Sequence, residues 1–257
     1  MKPEEYAIKL IDDYCIKNPQ QLNIEDIAAA ENLFIKETPL NNFLGMINYK
    51  ENYGLITINS KIKDPGQRKF TITHEMGHYF IERKKPERLR GCKAEDLSTF
   101  KSVIRNEENA NLFAAELLMP RPWFNDFILK RDINFELIKE IANHFSVSLS
   151  AAAFRYVNIG QYPTAVIYSK DGVVQWSAFH DYFPFKFIPK GYIVRKESSA
   201  YDFFAGKTMQ TCDDLIPANV WFAEDLKCRA TTYLYEQNVA MPSYNAVLTL
   251  LWESEFV

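Results

Sequence analysis

Residues His74, Glu75, Met76, Gly77 and His78 constrain this 257-residue chain more than any other stretch. Two imidazoles four residues apart on a helix lie on one face and can grip a single metal ion at about 2.0–2.1 Å. Fewer than about one chain in a hundred of this length would carry H-E-x-x-H by accident, and the motif takes two of only four histidines here. Glu75 sits one step round the helix from His74. A carboxylate there takes a proton from water, whose pKa a zinc ion lowers from about 15.7 towards 7. The competing reading is an ordinary helix with two solvated or hydrogen-bonded histidines.

The surrounding residues favour a helix. Asp64 and Pro65 read as an N-cap followed by proline at the first helical position, and Gln67 to Arg83 contains no further proline. Phe70, Thr73, Gly77 and Phe80 recur at helical spacing as an inward face, with His74 and His78 at its margin. Gly77 costs about 1 kcal/mol relative to alanine in a helix interior, a cost that points to close approach of another backbone.

A catalytic zinc site needs a third protein ligand and one open position. The run Ser102 to Met119 stops before Pro120 and places Val103, Glu107, Ala110, Ala114 and Leu117 on one stripe. Glu107 interrupts an apolar face, where a lone carboxylate is costly unless paired or coordinated, and the two alanines permit a close helix crossing. Glu108 is the alternative ligand; it shares its direction with Leu112, Ala115 and Met119 and lacks small neighbours.

RKFTITHEMGHYF, followed about thirty residues later by NEENANLFAAELLMP, resembles the ImmA/IrrE family of zinc metallo-endopeptidases over roughly residues 40–158. The resemblance implies that the later segment supplies the remaining zinc ligand, which falls on Glu107. The place one turn further on, which in thermolysin-like gluzincins holds an acid that orients a zinc-bound histidine, is occupied by Asn111, able to do the same through its carbonyl oxygen. The implied fold is α+β: a gluzincin-like minimal metallopeptidase domain, with a small antiparallel sheet and helices carrying the zinc site, then a helical pair and a smaller, mainly antiparallel C-terminal domain. Expected boundaries are 1–158 for the peptidase domain, including a helix-turn-helix-like pair at 134–158, and 161–257 for a sensor or substrate-selecting domain.

Strand-like alternation in Phe43 to Tyr49 and Tyr53 to Asn59, joined by Lys50, Glu51 and Asn52, predicts a hairpin. In endopeptidases of this architecture an edge strand beside the metal cleft can take an extended substrate by backbone hydrogen bonds. Pro3 to Lys17 and Asn23 to Asn32 read as helices packed on the sheet, with Ile8, Ile11, Ile27 and Ala30 as core candidates. Between the zinc-site helices, RKKPERLRGCK carries six basic residues against one acidic. It reads as a solvated loop, or as a lure for an acidic protein substrate.

Phe135 to Val157 has the outline of a helix-turn-helix, yet its helices carry only Lys139 and Arg155 as cations. Phosphate contacts dominate DNA affinity, so a formal charge of −3 and so bare a face argue against nucleic acid as a partner. His144 reads as structural or surface. Beyond Gly160 come short β-like runs: Thr164 to Ser169, an Asp171-Gly172 turn, Val173 to Phe179, Tyr192 to Lys196, Val220 to Glu224, Ala230 to Gln237 and Ala246 to Trp252. The segment Asp181 to Lys190 is aromatic and proline-rich, a packed loop or a contact surface, and His180 has no metal-spaced partner.

With 47% hydrophobic and 25% charged residues, the composition is that of an ordinary soluble protein. No membrane span is read, and the start MKPEEYAIKLIDDYC has the pattern of a helix, not of a signal peptide. Cys15, Cys92, Cys212 and Cys228 lack C-x-x-C spacing and read as reduced thiols of a cytoplasmic protein, Cys92 being a candidate redox-sensitive group. The expectation is therefore a zinc endopeptidase making site-specific cuts in a cytosolic protein, a transcriptional repressor above all. His74, His78 and Glu107 would be ligands, Glu75 the general base and Asn111 a support. The alternative is a non-hydrolytic zinc-containing regulator that binds DNA or a partner protein.

Overall fold

A computed structural model describes residues 1–50, 52–82, 90–92, 105–210, 213–229 and 231–253, with only the backbone of residues 90–92, 105 and 106. The fold is α+β, and the chain divides into two compact units, Met1–Phe127 with Ala142–Ala151 and Ile128–Ile141 with Ala152–Val257.

In the first unit, α1 (Pro3–Asp13) starts on a proline and turns Ala7, Leu10 and Ile11 inward. In α2 (Ile24–Ala30), the Asn23 side chain accepts from the amides of Glu25 and Asp26, meeting two of the helix's orphan donors. Of the four expected core residues here, Ile11 and Ile27 are buried, Ile8 is half-buried and Ala30 faces solvent, while Ala28 takes the inward place.

The expected hairpin forms between β2 (Gly45–Lys50) and β3 (Tyr53–Asn59), paired antiparallel from Gly45↔Ile58 to Lys50↔Tyr53. Its neighbours make the sheet mixed. β1 (Leu33–Thr38), which sequence alternation did not reveal, runs parallel to β3, and β4 (Arg90–Cys92) pairs antiparallel with β2, giving the order β1-β3-β2-β4. Leu33, Ile47, Ile56 and Ile58 are buried, which places the sheet's apolar face inward, under α3 (Pro65–Glu82). The next helices are α4 (Arg105–Leu118) and α5 (Arg121–Ile128). α4 packs along α3, and the buried Glu116 carboxylate accepts from the Arg121 amide at the start of α5.

The helical pair is present as α6 (Phe135–Phe145) and α7 (Leu149–Ile159). Ser146 turns with φ +53°, and the Ser148 hydroxyl accepts from the Ala151 amide.

In the second unit, β5 (Thr164–Lys170), β6 (Val173–Phe179), β7 (Asp214–Pro217), β8 (Tyr233–Met241) and β9 (Ala246–Glu253) form an antiparallel sheet in the order β6-β5-β9-β8-β7. Asp171 and Gly172, at φ +53° and +76°, make the tight β5–β6 turn that their sequence predicts. Two expected strands differ. Val220 to Glu224 contributes to a short helix, α9 (Asn219–Phe222), because Val220, Trp221 and Phe222 are all buried and a short apolar run reads alike for helix and strand. Tyr192 to Lys196 is loop, bridged to the sheet at Val173↔Ile193. Within the Asp181–Lys190 segment, Phe183, Phe185 and Ile188 enter the core with Trp221, Phe222, Leu234 and Leu251, which makes it a packed loop. A further helix, α8 (Ser199–Phe204), is tied to β8 by the buried Glu236 carboxylate, which accepts from Ser198 Oγ at 2.7 Å, Ser199 N at 3.1 Å and Trp221 Nε1 at 2.8 Å.

Candidate metal centre

The site begins with the cap of α3. Gln67 N donates to Asp64 Oδ1 at 2.6 Å, so the helix starts where the Asp-Pro pair directs it. Thr71 and Thr73 return their hydroxyls to the carbonyls of Gln67 and Lys69, both at 2.8 Å, which lets two polar side chains stay buried in the middle of the helix. Every residue from Phe70 to Phe80 is buried, so the histidines are held inside rather than on a solvent face.

Gly77 permits the decisive crossing. A Cβ there would lie 3.0 Å from Ala110 Cα and 3.1 Å from Ala110 O on α4, so only glycine lets the helices come this close without displacement. At that separation Glu107 Oε2 stands 3.2 Å from His74 Nε2 and 3.3 Å from His78 Nε2, and the two Nε2 atoms are 3.1 Å apart. Glu108, the alternative ligand, is exposed.

The outward nitrogens are engaged as well. His74 Nδ1 is 2.8 Å from Asn111 Oδ1, and His78 Nδ1 is 2.8 Å from Glu82 Oε1. Both partners accept, so each Nδ1 carries the proton and each neutral ring presents an Nε2 lone pair. Three acceptors then face one another with no hydrogen between them, an arrangement that repels unless a cation sits at the centre. Their separations match the roughly 3.3 Å edges of a tetrahedron around an ion held at about 2.0–2.1 Å. The donor set therefore fits a metal ion. Without a metal the cluster takes up a proton instead: burial disfavours protonated His78, but Glu107 and Glu82 outweigh it and raise its pKa to about 10, so a hydrogen on its Nε2 then separates the acceptors that a metal ion would otherwise bridge. Burial likewise opposes ionised Glu107, yet its bonds to His74 and His78 hold the carboxyl well below the ordinary range. His74 is lowered, by burial first.

Glu75 lies beside this cluster with both carboxylate oxygens buried and without hydrogen-bond partners among the described residues. Burial pushes its pKa up to about 8, with Glu107 and Glu82 adding to the rise against the lowering effect of His78. Gly45 on β2 makes room for it: a Cβ there would stand 3.1 Å from Glu75 Oε1 and 2.6 Å from Thr71 Cγ2.

The sequence profile of the IrrE N-terminal-like domain matches residues 28–156, half of the chain, and that span contains all of these groups. The chain belongs to the ImmA/IrrE family. It is similar to the metallopeptidase ImmA of Bacillus subtilis (strain 168), 26% identical over 160 residues, which are 59% of this chain and 85% of that protein. Its fold is similar to that of a Mycobacterium tuberculosis transcriptional regulator, with a TM-score of 0.59 and 12% identity over 98% of this chain and 76% of the other. At that identity the likeness speaks for the fold alone.

For this ImmA/IrrE member, sequence reasoning placed His74, Glu75, His78, Glu107 and Asn111, and the structure brings all five together. It missed Glu82 and Gly45. Glu82 follows His78 by the same four-residue step that selected the two histidines, and a glycine inside a strand is itself a sign of close backbone approach. Most of the basic 83–93 segment and the Cys92 side chain lie outside the described residues. Elsewhere, His144 stacks on Phe127 at 4.3 Å, and His180 accepts from the Tyr182 amide. Among the described residues, no helix is long and apolar enough to cross a membrane.

Proposed function

We propose that this ImmA/IrrE member is a zinc-dependent endopeptidase that makes site-specific cuts in a cytosolic protein, a transcriptional repressor of a stress-response or mobile-element system. The observation that carries this reading is a buried carboxylate, unpartnered among the described residues, next to three converging acceptors. A structural metal site has no use for such a group, which is costly to bury. His74, His78 and Glu107 would hold the ion. A zinc ion bound there supplies Lewis acidity, making water acidic near neutral pH and polarising the scissile carbonyl.

Glu75 does the proton work. Its carboxylate takes the proton from the attacking water, and the resulting carboxylic acid gives it to the leaving amine nitrogen, so one side chain serves as base and then acid. Desolvation makes Glu75 a stronger base than an exposed carboxylate, and a pKa near neutrality still lets the resulting acid return the proton to the amine. Asn111 holds the His74 ring. Among the described residues β4 is the last strand on its side of the sheet, and in this reading its edge would take an extended peptide, with Gly45↔Cys92 as the pairing nearest Glu75. Burial of the base also supports a selective enzyme, one with low activity on casein-like substrates. Residues 161–257 serve as sensor or substrate selector in this reading.

The test is co-expression with candidate repressors. One truncated band should appear with the wild-type chain and vanish with Glu75→Gln, which keeps zinc and fold but loses roughly two to four orders of magnitude in turnover. Purified protein without stoichiometric zinc, or undiminished cleavage by Glu75→Gln, refutes it. The latter outcome favours the non-hydrolytic regulator.

A further inference from the structure

We infer that Glu82 is a positioning residue of the metal centre, holding the His78 ring through an Nδ1–H···Oε1 bond so that Nε2 points at the ion; the inference rests on the metallopeptidase reading above.

The geometry is specific. His74, His78 and Glu82 form an i, i+4, i+8 ladder on one face of α3, so the helix that carries both rings also carries the group that braces the second. α4 repeats the device with Glu107 and Asn111, one turn apart, the first facing both Nε2 atoms and the second gripping His74. Each ring is thus pinned at Nδ1 by an acceptor at 2.8 Å, His74 from the opposite helix and His78 from its own. The rings meet edgewise, with centroids 4.8 Å apart and planes at 82°, and a turn of either about its Cβ–Cγ bond would carry its Nε2 away from Glu107.

The two braces differ in charge. Asn111 offers a neutral carbonyl, whereas Glu82 offers a carboxylate that is 2% exposed. A carboxylate buried this far is costly unless paired, and His78 Nδ1 is a partner that answers that cost. A carboxylate behind an imidazole fixes the tautomer and makes the inward nitrogen a stronger donor. His78 is therefore the more basic of the two nitrogen ligands, and Glu82 sets that asymmetry without touching the ion or the substrate.

The test uses the full chain and reads zinc affinity by chelator competition, with the visible absorption of the cobalt-substituted protein as a second signal. Glu82→Gln keeps the shape and an acceptor oxygen but removes the charge; it should bind zinc about tenfold more weakly and shift the cobalt bands. Glu82→Leu removes the acceptor too and should lose about a hundredfold. Thermal melting of metal-free Glu82→Gln checks that its fold persists, and this variant carries the test if Glu82→Leu does not fold. Wild-type zinc affinity and an unchanged cobalt spectrum in Glu82→Gln overturn the inference and leave the peptidase reading standing. A wild-type chain that binds no zinc overturns both.

Discussion

Replacing Gly77 by alanine sets two effects of known size against each other. Alanine in a helix interior is favoured over glycine by about 1 kcal/mol, so a Gly77 that did no more than occupy a helical position would yield a more stable protein. The new methyl, however, would lie 3.0 Å from Ala110 Cα, 3.1 Å from Ala110 O and 3.2 Å from Phe113 Cδ1. Ordinary carbon contacts are about 3.5–4.0 Å, so each is short by several tenths of an ångström, and two of the three atoms are backbone. α4 must back away as a body. Overpacking of this kind costs about 1–3 kcal/mol, which leaves a net loss of about 0–2 kcal/mol in the metal-free protein. Metal binding should suffer more. Glu107 rides on α4 less than one turn before Ala110, and a shift of about 0.5 Å exceeds the roughly 0.2 Å tolerance of a metal–ligand distance. We expect zinc affinity to fall at least about tenfold, read by chelator competition, with urea unfolding of metal-free protein giving the stability term. A Gly77→Ala protein stabilised by about 1 kcal/mol with unchanged zinc affinity would refute the helix crossing described above.

Three further outcomes are expected. The Glu75 carboxyl, raised by burial to about 8 in the folded chain from an ordinary 4.5, favours folding fully below pH 4.5 and loses that contribution as pH rises through 8; metal-free stability should therefore decline over this window, more steeply in wild type than in Glu75→Gln, and equal slopes in urea titrations would contradict the burial of that group. Asn111→Leu frees His74 Nδ1 and should weaken zinc binding about 10–100-fold with the fold retained, which isothermal titration can check against an unaltered wild-type value. Glu236→Ala strands the donors of Ser198, Ser199 and Trp221 in the second unit, a loss of about 3–5 kcal/mol that near-ultraviolet circular dichroism melts should register; a change below about 0.5 kcal/mol would mean that water reaches this network.

What was legible in the chain was whatever repeats at the period of a helix. The Asp64-Pro65 start, the two histidines, the small residues that let α4 approach and the carboxylate on an apolar stripe all follow from i, i+4 spacing, and Asn111 followed from the family resemblance. Glu82 obeyed the same spacing and was passed over because a glutamate at the end of a helix is an ordinary surface residue until its burial is known. The β1 strand was hidden for another reason: Leu33 to Thr38 has one fully buried residue, and its partner β3 lies across the intervening β2, so neither alternation nor a local turn announces it. In the second unit, the short apolar runs could not say which of them would coil, and Trp221 and Phe222 went into a helical turn.

The helical pair shows how an outline can mislead when burial is ignored. A recognition helix has to lay an exposed face of side chains in the major groove. In α7, residues 151–157 are all buried, so that stretch of the helix has no face free. Arg155, one of the two cations counted in the pair, is 6% exposed, which removes it from any contact with phosphate. Lys139 remains on α6, and its ammonium already sits 2.6 Å from Glu136. Ala151, Ala152 and Ala153 are among these buried residues, and a helix enclosed along two turns contributes to stability by packing.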